Sequence, residues 1–289
     1  MTKLIDGKRI ASLILAKTKA AVEQLALAGE VPKLAVVLVG EDKPSQTYVG
    51  RKGKAAEKVG MAFSLHTLPS TTTTEELLAR LTAIQSDALL SGLIVQLPLP
   101  KHIDTGTVIN MIRPEVDVDC LTDVNLGKIV MQTNHMVPPT PGAVMSVLHH
   151  LNVDLVGKRV TIVGTGPLVG KPLAIMMMNE SASVRTCNSK TPDTKERCLD
   201  ADIIVTGVGK KHLIRGDMVS PGAIVIDTGV DFDAGKMYGD VHVEEVERVA
   251  GAVTPTPGGI GPITVARLLW NTVLCEERKR FREKKQIIQ

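Results

Sequence analysis

Residues 47–60 read TYVGRKGKAAEKVG and set Tyr48 four positions before Lys52 on a stretch whose pattern predicts a helix. Side chains at i and i+4 lie one above the other on a helix face, so an aromatic ring and an amine share one patch while Lys54 points elsewhere. The pair is either a solvated lysine beside a partly buried tyrosine or part of a ligand site. Gly50 and Gly53 bear on the choice, because each costs a helix roughly 1 kcal/mol relative to alanine. Close approach of a ligand or of a neighbouring chain segment would offset that cost. Three other stretches have the same unusual character. VQLPLP (95–100) ends a strand in prolines and puts Gln96 at the C-terminal strand end, where ligands of α/β sheets sit. DVDCLT (117–122) spaces Asp117 and Asp119 by two. TPTPGGIGPIT (254–264) is rigid and stripped of bulky side chains, a poor core and a good wall.

A further candidate is the glycine turn. After the strand-like RVTIVG comes GTGPLVGKP, which places Gly164, Gly166 and Gly170 between a strand and a helix as GxGxxxG. Glycines there permit a tight turn and let backbone N–H groups approach a pyrophosphate at the helix N-terminus; a plain strand-to-helix turn is the other reading. An NAD site carries an acidic residue about 20 positions on, at the end of the next strand. Here that place holds CNSK, Cys187 to Lys190. Ser189 and Lys190 could hydrogen-bond and neutralise a ribose phosphate, which tilts the cofactor toward NADP, with NAD the alternative.

The elements that must carry these groups alternate. Strand-length apolar runs at 33–40, 61–68 and 91–98 are separated by helical patterns near 7–29, 44–59, 73–87 and 104–112. A threonine of TTTTEELL caps the third of these helices, and its glutamates complement the helix dipole. HMVPPTPG (135–142) interrupts the rhythm, since Pro138, Pro139 and Pro141 cannot continue a helix or central strand, and it reads as an interdomain hinge. A second alternation follows, with strands at 158–164, 182–187, 201–207 and 222–229 and helices near 168–179 and 191–199. The expected architecture is α/β in two domains, each with a mostly parallel sheet. Residues 1–137 and 264–289 form one, with the C-terminal helix packing back on it, and 138–263 form a Rossmann-like dinucleotide-binding domain.

Composition narrows the function. The chain has 289 residues, 44% hydrophobic and 22% charged, with a net charge of +3 and few aromatics, so it has neither the basic field nor the stacking rings that nucleic-acid binding uses. The N-terminus mixes charges into every turn and no later run reaches transmembrane length; a cytoplasmic protein without a membrane partner is expected. Cys120, Cys187, Cys198 and Cys275 form no CxxC pair, which suggests free thiols and no metal site.

The motifs LIDGKRIA, PSQTYVGRKGKAAEKVG, GLIVQLPLPKHID, PEVDVD, PPTPGAV, LVGKPLA, GAIVIDTGV and TPTPGGIGPIT together resemble the bifunctional methylenetetrahydrofolate dehydrogenase/cyclohydrolase family almost end to end. The resemblance implies an NADP-dependent enzyme of one-carbon metabolism and purine biosynthesis, working as a homodimer. It would oxidise methylene-tetrahydrofolate and hydrolyse the methenyl product to formyl-tetrahydrofolate. A dehydrogenase that has lost the hydrolase and a non-catalytic folate- or nucleotide-binding regulator are the alternatives. On this resemblance Lys52 and Gln96 are catalytic, Tyr48 stacks on the folate and Asp119 bonds the pterin edge. Pro257, Gly258, Gly259, Gly261 and Pro262 lie against the folate. Gly164, Thr165, Gly166, Leu168, Val169, Gly170, Ser189, Lys190, Val208, Gly209 and Val230 bind the dinucleotide. A lysine serves as the base for water addition only if its usual pKa of about 10.4 is pulled down by a cationic ligand and partial desolvation. The chain also departs from the family pattern. Thr165 and Gly166 stand where Arg-Ser is frequent, Asn188 where many members have His, Cys120 where Gly is common, and Pro139 in a PCTP-like motif.

Overall fold

The computed structural model describes residues 2–233 and 236–288, with side chains through Arg282. In chain order its elements are β1 (Lys3–Leu4), α1 (Gly7–Leu27), β2 (Lys33–Val39), α2 (Lys43–Lys58), β3 (Ala62–Leu68), α3 (Thr74–Gln85), β4 (Leu90–Val95), α4 (Thr105–Asn110), α5 (Asp123–Val130), α6 (Pro139–His150), β5 (Arg159–Val163), α7 (Gly170–Asn179), β6 (Ser183–Cys187), α8 (Thr194–Leu199), β7 (Ile203–Thr206), β8 (Ile224–Asp227), β9 (Asp231–Asp233), β10 (Lys236–Tyr238), α9 (Val243–Val246), β11 (Ala252–Val253) and α10 (Ile260–Ile288). Their contacts divide the chain into two compact units: Met1–Ser12, Ile129–Thr133 and Thr140–Thr264 in one, Leu13–Lys128, Asn134–Pro139 and Val265–Gln289 in the other.

The second of these units is built on a parallel three-stranded sheet of order β3-β2-β4. Strand β2 reads as an unbroken apolar run because both of its faces are covered. Leu34 and Val36 face a core shared with Val49 and Ala56 of α2 and with Leu268, Leu269 and Val273 of α10. Their neighbours Ala35, Val37 and Val39 face a second core with Leu77, Leu81 and Ile84 of α3, as the period of two along a strand requires. Helix α2 starts at Asp42, whose carboxylate accepts from the Ser45 N–H at 2.9 Å. Helix α3 starts with a capping box: the Glu76 N–H donates to Thr73 Oγ1 (3.2 Å) and the Thr73 N–H to Glu76 Oε2 (2.9 Å).

The other unit holds a parallel six-stranded sheet of order β1-β11-β8-β7-β5-β6 and an antiparallel β9–β10 hairpin. Val163, Ile204, Val225 and Val253, one from each of four strands, meet in one buried cluster with Cys198 of α8. The N-terminal residues, which the sequence reading places with 1–137 in the first domain, group by contact with the six-stranded sheet, because Lys3 and Leu4 pair with Ala252 and Val253. Two-residue strands carry too little pattern to be seen in sequence. The proline stretch at 135–142 is also not wholly irregular: Pro139 opens α6 and Pro141 sits in its first turn, where the missing N–H has no intrahelical acceptor to lose. The chain does pass from one unit to the other between Pro139 and Thr140.

Candidate active site

In the unit built on β2–β4, the register of α2 places its groups. Val49, Gly53 and Ala56 face the core, and this leaves Tyr48 and Lys52 on the adjoining half-buried face. The two glycines now separate. A Cβ at Gly53 would lie 2.9 Å from a ring carbon of Phe63, so that position is held by a neighbouring strand; a Cβ at Gly50 would meet nothing within 4 Å.

Gln96 follows β4 directly, its N–H bonded to the Val37 carbonyl at 2.9 Å. Its side-chain Nε2 donates to the Leu97 carbonyl (2.7 Å). That leaves Oε1 as an acceptor, and Lys52 Nζ donates to it at 3.0 Å. A neutral acceptor orients the amine without binding its charge as a carboxylate would. Burial pulls the Lys52 pKa below the ordinary 10.5, while the negative charge of Asp119 works in the opposite sense. Burial pushes the Asp119 carboxyl up; Lys52 opposes the rise and Asp117 adds to it. Of the two causes expected from the sequence, a cationic ligand and desolvation, desolvation already acts in the free protein. Asp119 moderates the effect.

Asp117, marked in the sequence only by its spacing from Asp119, organises the loop that carries Asp119. It is 1% exposed, and its carboxylate accepts from the N–H groups of Leu121 (3.2 Å) and Thr122 (2.9 Å), from Thr122 Oγ1 (2.8 Å) and from Asn125 Nδ2 (2.9 Å). Four donors on one buried acid shape the loop on which Asp119 and Cys120 sit. Cys120 stands in that loop at φ +54°, the left-handed region that favours glycine. The sequence signal was present, as an acid followed by Thr at i+5 and Asn at i+8, but only the folded loop shows the convergence.

In the other unit, the glycine turn lies at the C-terminal end of β5. A Cβ at Gly170 would lie 1.9 Å from the Gly164 carbonyl oxygen, and one at Gly164, φ +111°, 2.7 Å from that of Gly207. Neither position admits a side chain, whereas Gly166 opens on free space. Helix α7 begins after Val169 without a side-chain cap, so its N-terminal dipole is available to an anion. Leu168, Val208 and Val230 are large apolar residues left 44%, 48% and 37% exposed, and Val208 adjoins Gly164 while the Val230 carbonyl adjoins Gly209. At the end of β6 the Lys190 N–H bonds Asn188 Oδ1 (2.9 Å). The exposed side chains of Ser189 and Lys190 have no partner among the described residues. No carboxylate stands at 187–190 to repel a phosphate, and an uncapped helix above an open glycine turn fits a phosphorylated dinucleotide. Thr165 lies half-buried in the turn. In the same unit Pro257, Gly258, Gly259, Gly261 and Pro262 link β11 to the first turn of α10. Pro257 and Gly258 line a cavity of about 420 Å³ with Ile5, Asp6 and Lys8.

The catalytic-domain profile of tetrahydrofolate dehydrogenase/cyclohydrolase matches residues 5–119, and the NAD(P)-binding-domain profile of the same family matches 138–280. A Bifunctional protein FolD of Campylobacter concisus is 43% identical over 278 residues, 96% of this chain and 98% of its own. The crystal structure of the bifunctional FolD enzyme from Campylobacter jejuni superposes with a TM-score of 0.94 at 38% identity, covering 96% of this chain and all of that one. The Trypanosoma brucei dehydrogenase-cyclohydrolase complexed with NADP cofactor and inhibitor gives 0.93 at 36%, covering 96% and 98%. With profiles matching most of its length and relatives above 40% identity end to end, the chain belongs to the tetrahydrofolate dehydrogenase/cyclohydrolase family.

Proposed function

We propose that this protein oxidises methylene-tetrahydrofolate to methenyl-tetrahydrofolate with NADP and then hydrolyses the product to formyl-tetrahydrofolate, with Lys52 as the base of the second step. The observation that carries the reading is the 3.0 Å contact of the Lys52 amine with Gln96 Oε1, in a place where burial lowers the lysine pKa. NADP, when bound, supplies the hydride acceptor. Loss of a hydride from the one-carbon bridge leaves a methenyl cation shared between two folate nitrogens. Water adds to that carbon, and a neutral Lys52, aligned by Gln96, takes its proton; collapse of the adduct to the formyl group then breaks one of its two C–N bonds, the hydroxyl proton passing to the nitrogen released. General bases of this kind contribute typically 10²–10⁴-fold. A cation beside Lys52 favours the neutral amine further, so formation of the methenyl group prepares the base for the next step.

Tyr48 stacks on the folate and Asp119 accepts from the pterin edge, while Pro257, Gly258, Gly259, Gly261 and Pro262 offer backbone against which the substrate lies. Gly164, Thr165, Gly166, Leu168, Val169 and Gly170 hold the pyrophosphate side of the nucleotide, Val208, Gly209 and Val230 its apolar parts, and Ser189 and Lys190 the ribose phosphate. The place of work is the cytoplasm, as a homodimer, in one-carbon supply to purine biosynthesis; no helix among the described residues is long and apolar enough to cross a membrane. The test follows absorbance of the purified protein with methylene-tetrahydrofolate and either NADP or NAD. The expected result is methenyl formation faster with NADP, followed by methenyl decay faster than in buffer. Methenyl formation followed by decay only at the buffer rate would reduce the protein to a dehydrogenase.

A further inference from the structure

The loop after β7 is held from behind by one buried acid. Asp240 is fully buried. Its Oδ2 accepts from Thr206 Oγ1 (2.8 Å) and the Val208 N–H (2.7 Å), and its Oδ1 accepts from the Lys210 N–H (2.7 Å). Positions 206, 208 and 210 are thus tied to a single carboxylate, and Gly209, φ +72°, is carried between two of the ties. The same loop abuts the glycine turn: a Cβ at Gly164 would lie 2.7 Å from the Gly207 oxygen and 3.4 Å from Val208 Cγ2. Both sit at C-terminal ends of adjacent parallel strands, β5 and β7, which is where nucleotides bind in such sheets.

Asp240 is itself immobilised by an interlock with a second acid. Asp227 accepts from the N–H groups of Gly229 and Val241, each at 2.9 Å. A Cβ at Gly229 would lie 2.2 Å from Asp240 Cγ, and one at Gly239 would lie 1.9 Å from Asp227 Oδ2. Each carboxylate therefore packs against a glycine beside the other, and neither can shift without displacing backbone. Burial, with the charge of Asp240 adding to it, pushes Asp227 up to about 7. Such a cost is retained where it fixes a conformation that neutral groups do not: three converging donors call for an acceptor with no hydrogen of its own.

We propose that Asp240 is a positioning residue for the dinucleotide, acting through the backbone of residues 208–210 and touching neither substrate nor cofactor. The proposal rests on the reading in which Val208 and Gly209 meet the nucleotide. Asp240→Asn is nearly isosteric but turns an N–H₂ toward one of the three donors, and an unmade buried hydrogen bond of this kind is worth about tenfold or more in an equilibrium. The expected result is a KM for NADP raised about tenfold, with the KM for methylene-tetrahydrofolate within about twofold of wild type. A parallel rise in both KM values, or lower thermal stability with NADP affinity intact, would overturn it. Thr206→Val removes one donor and leaves the acid, so it should weaken NADP binding less, by a few-fold. If Asp240→Asn does not fold, unchanged NADP affinity in Thr206→Val overturns the proposal by itself. Wild-type protein that binds no NADP overturns the underlying reading; wild-type binding with an unaffected Asp240→Asn variant overturns the positioning role alone.

Discussion

Replacement of Lys52 by methionine separates chemistry from folding, and the structure sets the sizes. Among the described residues the Lys52 amine has one hydrogen bond, to Gln96 Oε1, and methionine keeps an unbranched stem of similar length. Leaving Oε1 without its donor costs about 1–3 kcal/mol if fully buried, and less here because Gln96 is only half-buried. The burial penalty that depresses the lysine disappears with the amine and offsets part of that loss. The net change in stability should be about 1 kcal/mol or less by this comparison. Loss of a general base removes 10²–10⁴-fold in rate, which is about 3–5 kcal/mol of transition-state stabilisation. The two effects differ enough that partial unfolding cannot imitate the kinetic one. The assay is the absorbance decay of methenyl-tetrahydrofolate with variant, wild type and buffer in parallel, beside a thermal melt. In wild type the rate should rise with pH as Lys52 loses its proton, through a pKa below 10.5, and this limb should vanish in the variant. Lys52→Arg keeps the charge and cannot deprotonate, so it should be as slow as Lys52→Met. Hydrolysis at the wild-type rate in a folded Lys52→Met variant would remove Lys52 from the mechanism.

Three further outcomes are expected. Asp119→Ala should lose folate binding and keep nucleotide binding, measured by titrating each ligand separately; equal loss of both would point to a collapsed fold. Gly53→Ala should destabilise by about 1–3 kcal/mol, because its methyl meets the Phe63 ring, whereas Gly50→Ala enters open space and should stabilise by about 0.5–1 kcal/mol; denaturant melts with the opposite order would contradict the register of α2. Burial, with the cations Arg278, Lys128 and Arg282, lowers His135 to about 4 from 6.5, so the unfolded chain binds the extra proton between those values. Stability should fall as pH drops from about 6.5 toward 4, and His135→Gln should flatten that slope in melts across the range.

The strongest periodic signals were legible without coordinates. KLAVVLV and RVTIV are strands because continuous β-branched and aliphatic runs of that length suit a sheet covered on both faces, and Thr73 capped the helix its sequence pointed to. The pairing of Tyr48 with Lys52 followed from helix geometry alone, and the glycine turn was marked by three glycines, of which Gly164 and Gly170 leave room for backbone and Gly166 opens on free space. What sequence could not supply was every contact between distant positions. Strand β1 is invisible until it meets β11, α6 hides behind its own prolines, and Gly53 is explained only by Phe63, ten residues away on another element.

The same division holds for the chemistry. Residue types and local spacing determined which groups could act, since an amine, an amide and an acid are given by the chain itself. Tertiary structure decided what those groups are. The Lys52 pKa is lowered because folding removes the amine from water, and the same fold brings Gln96 Oε1 to it across 44 residues. Asp117 and Asp240 became organisers of loops because burial converges three or four donors on each. Desolvation and hydrogen-bond convergence are properties of three-dimensional neighbourhoods, and no one-dimensional spacing encodes them directly.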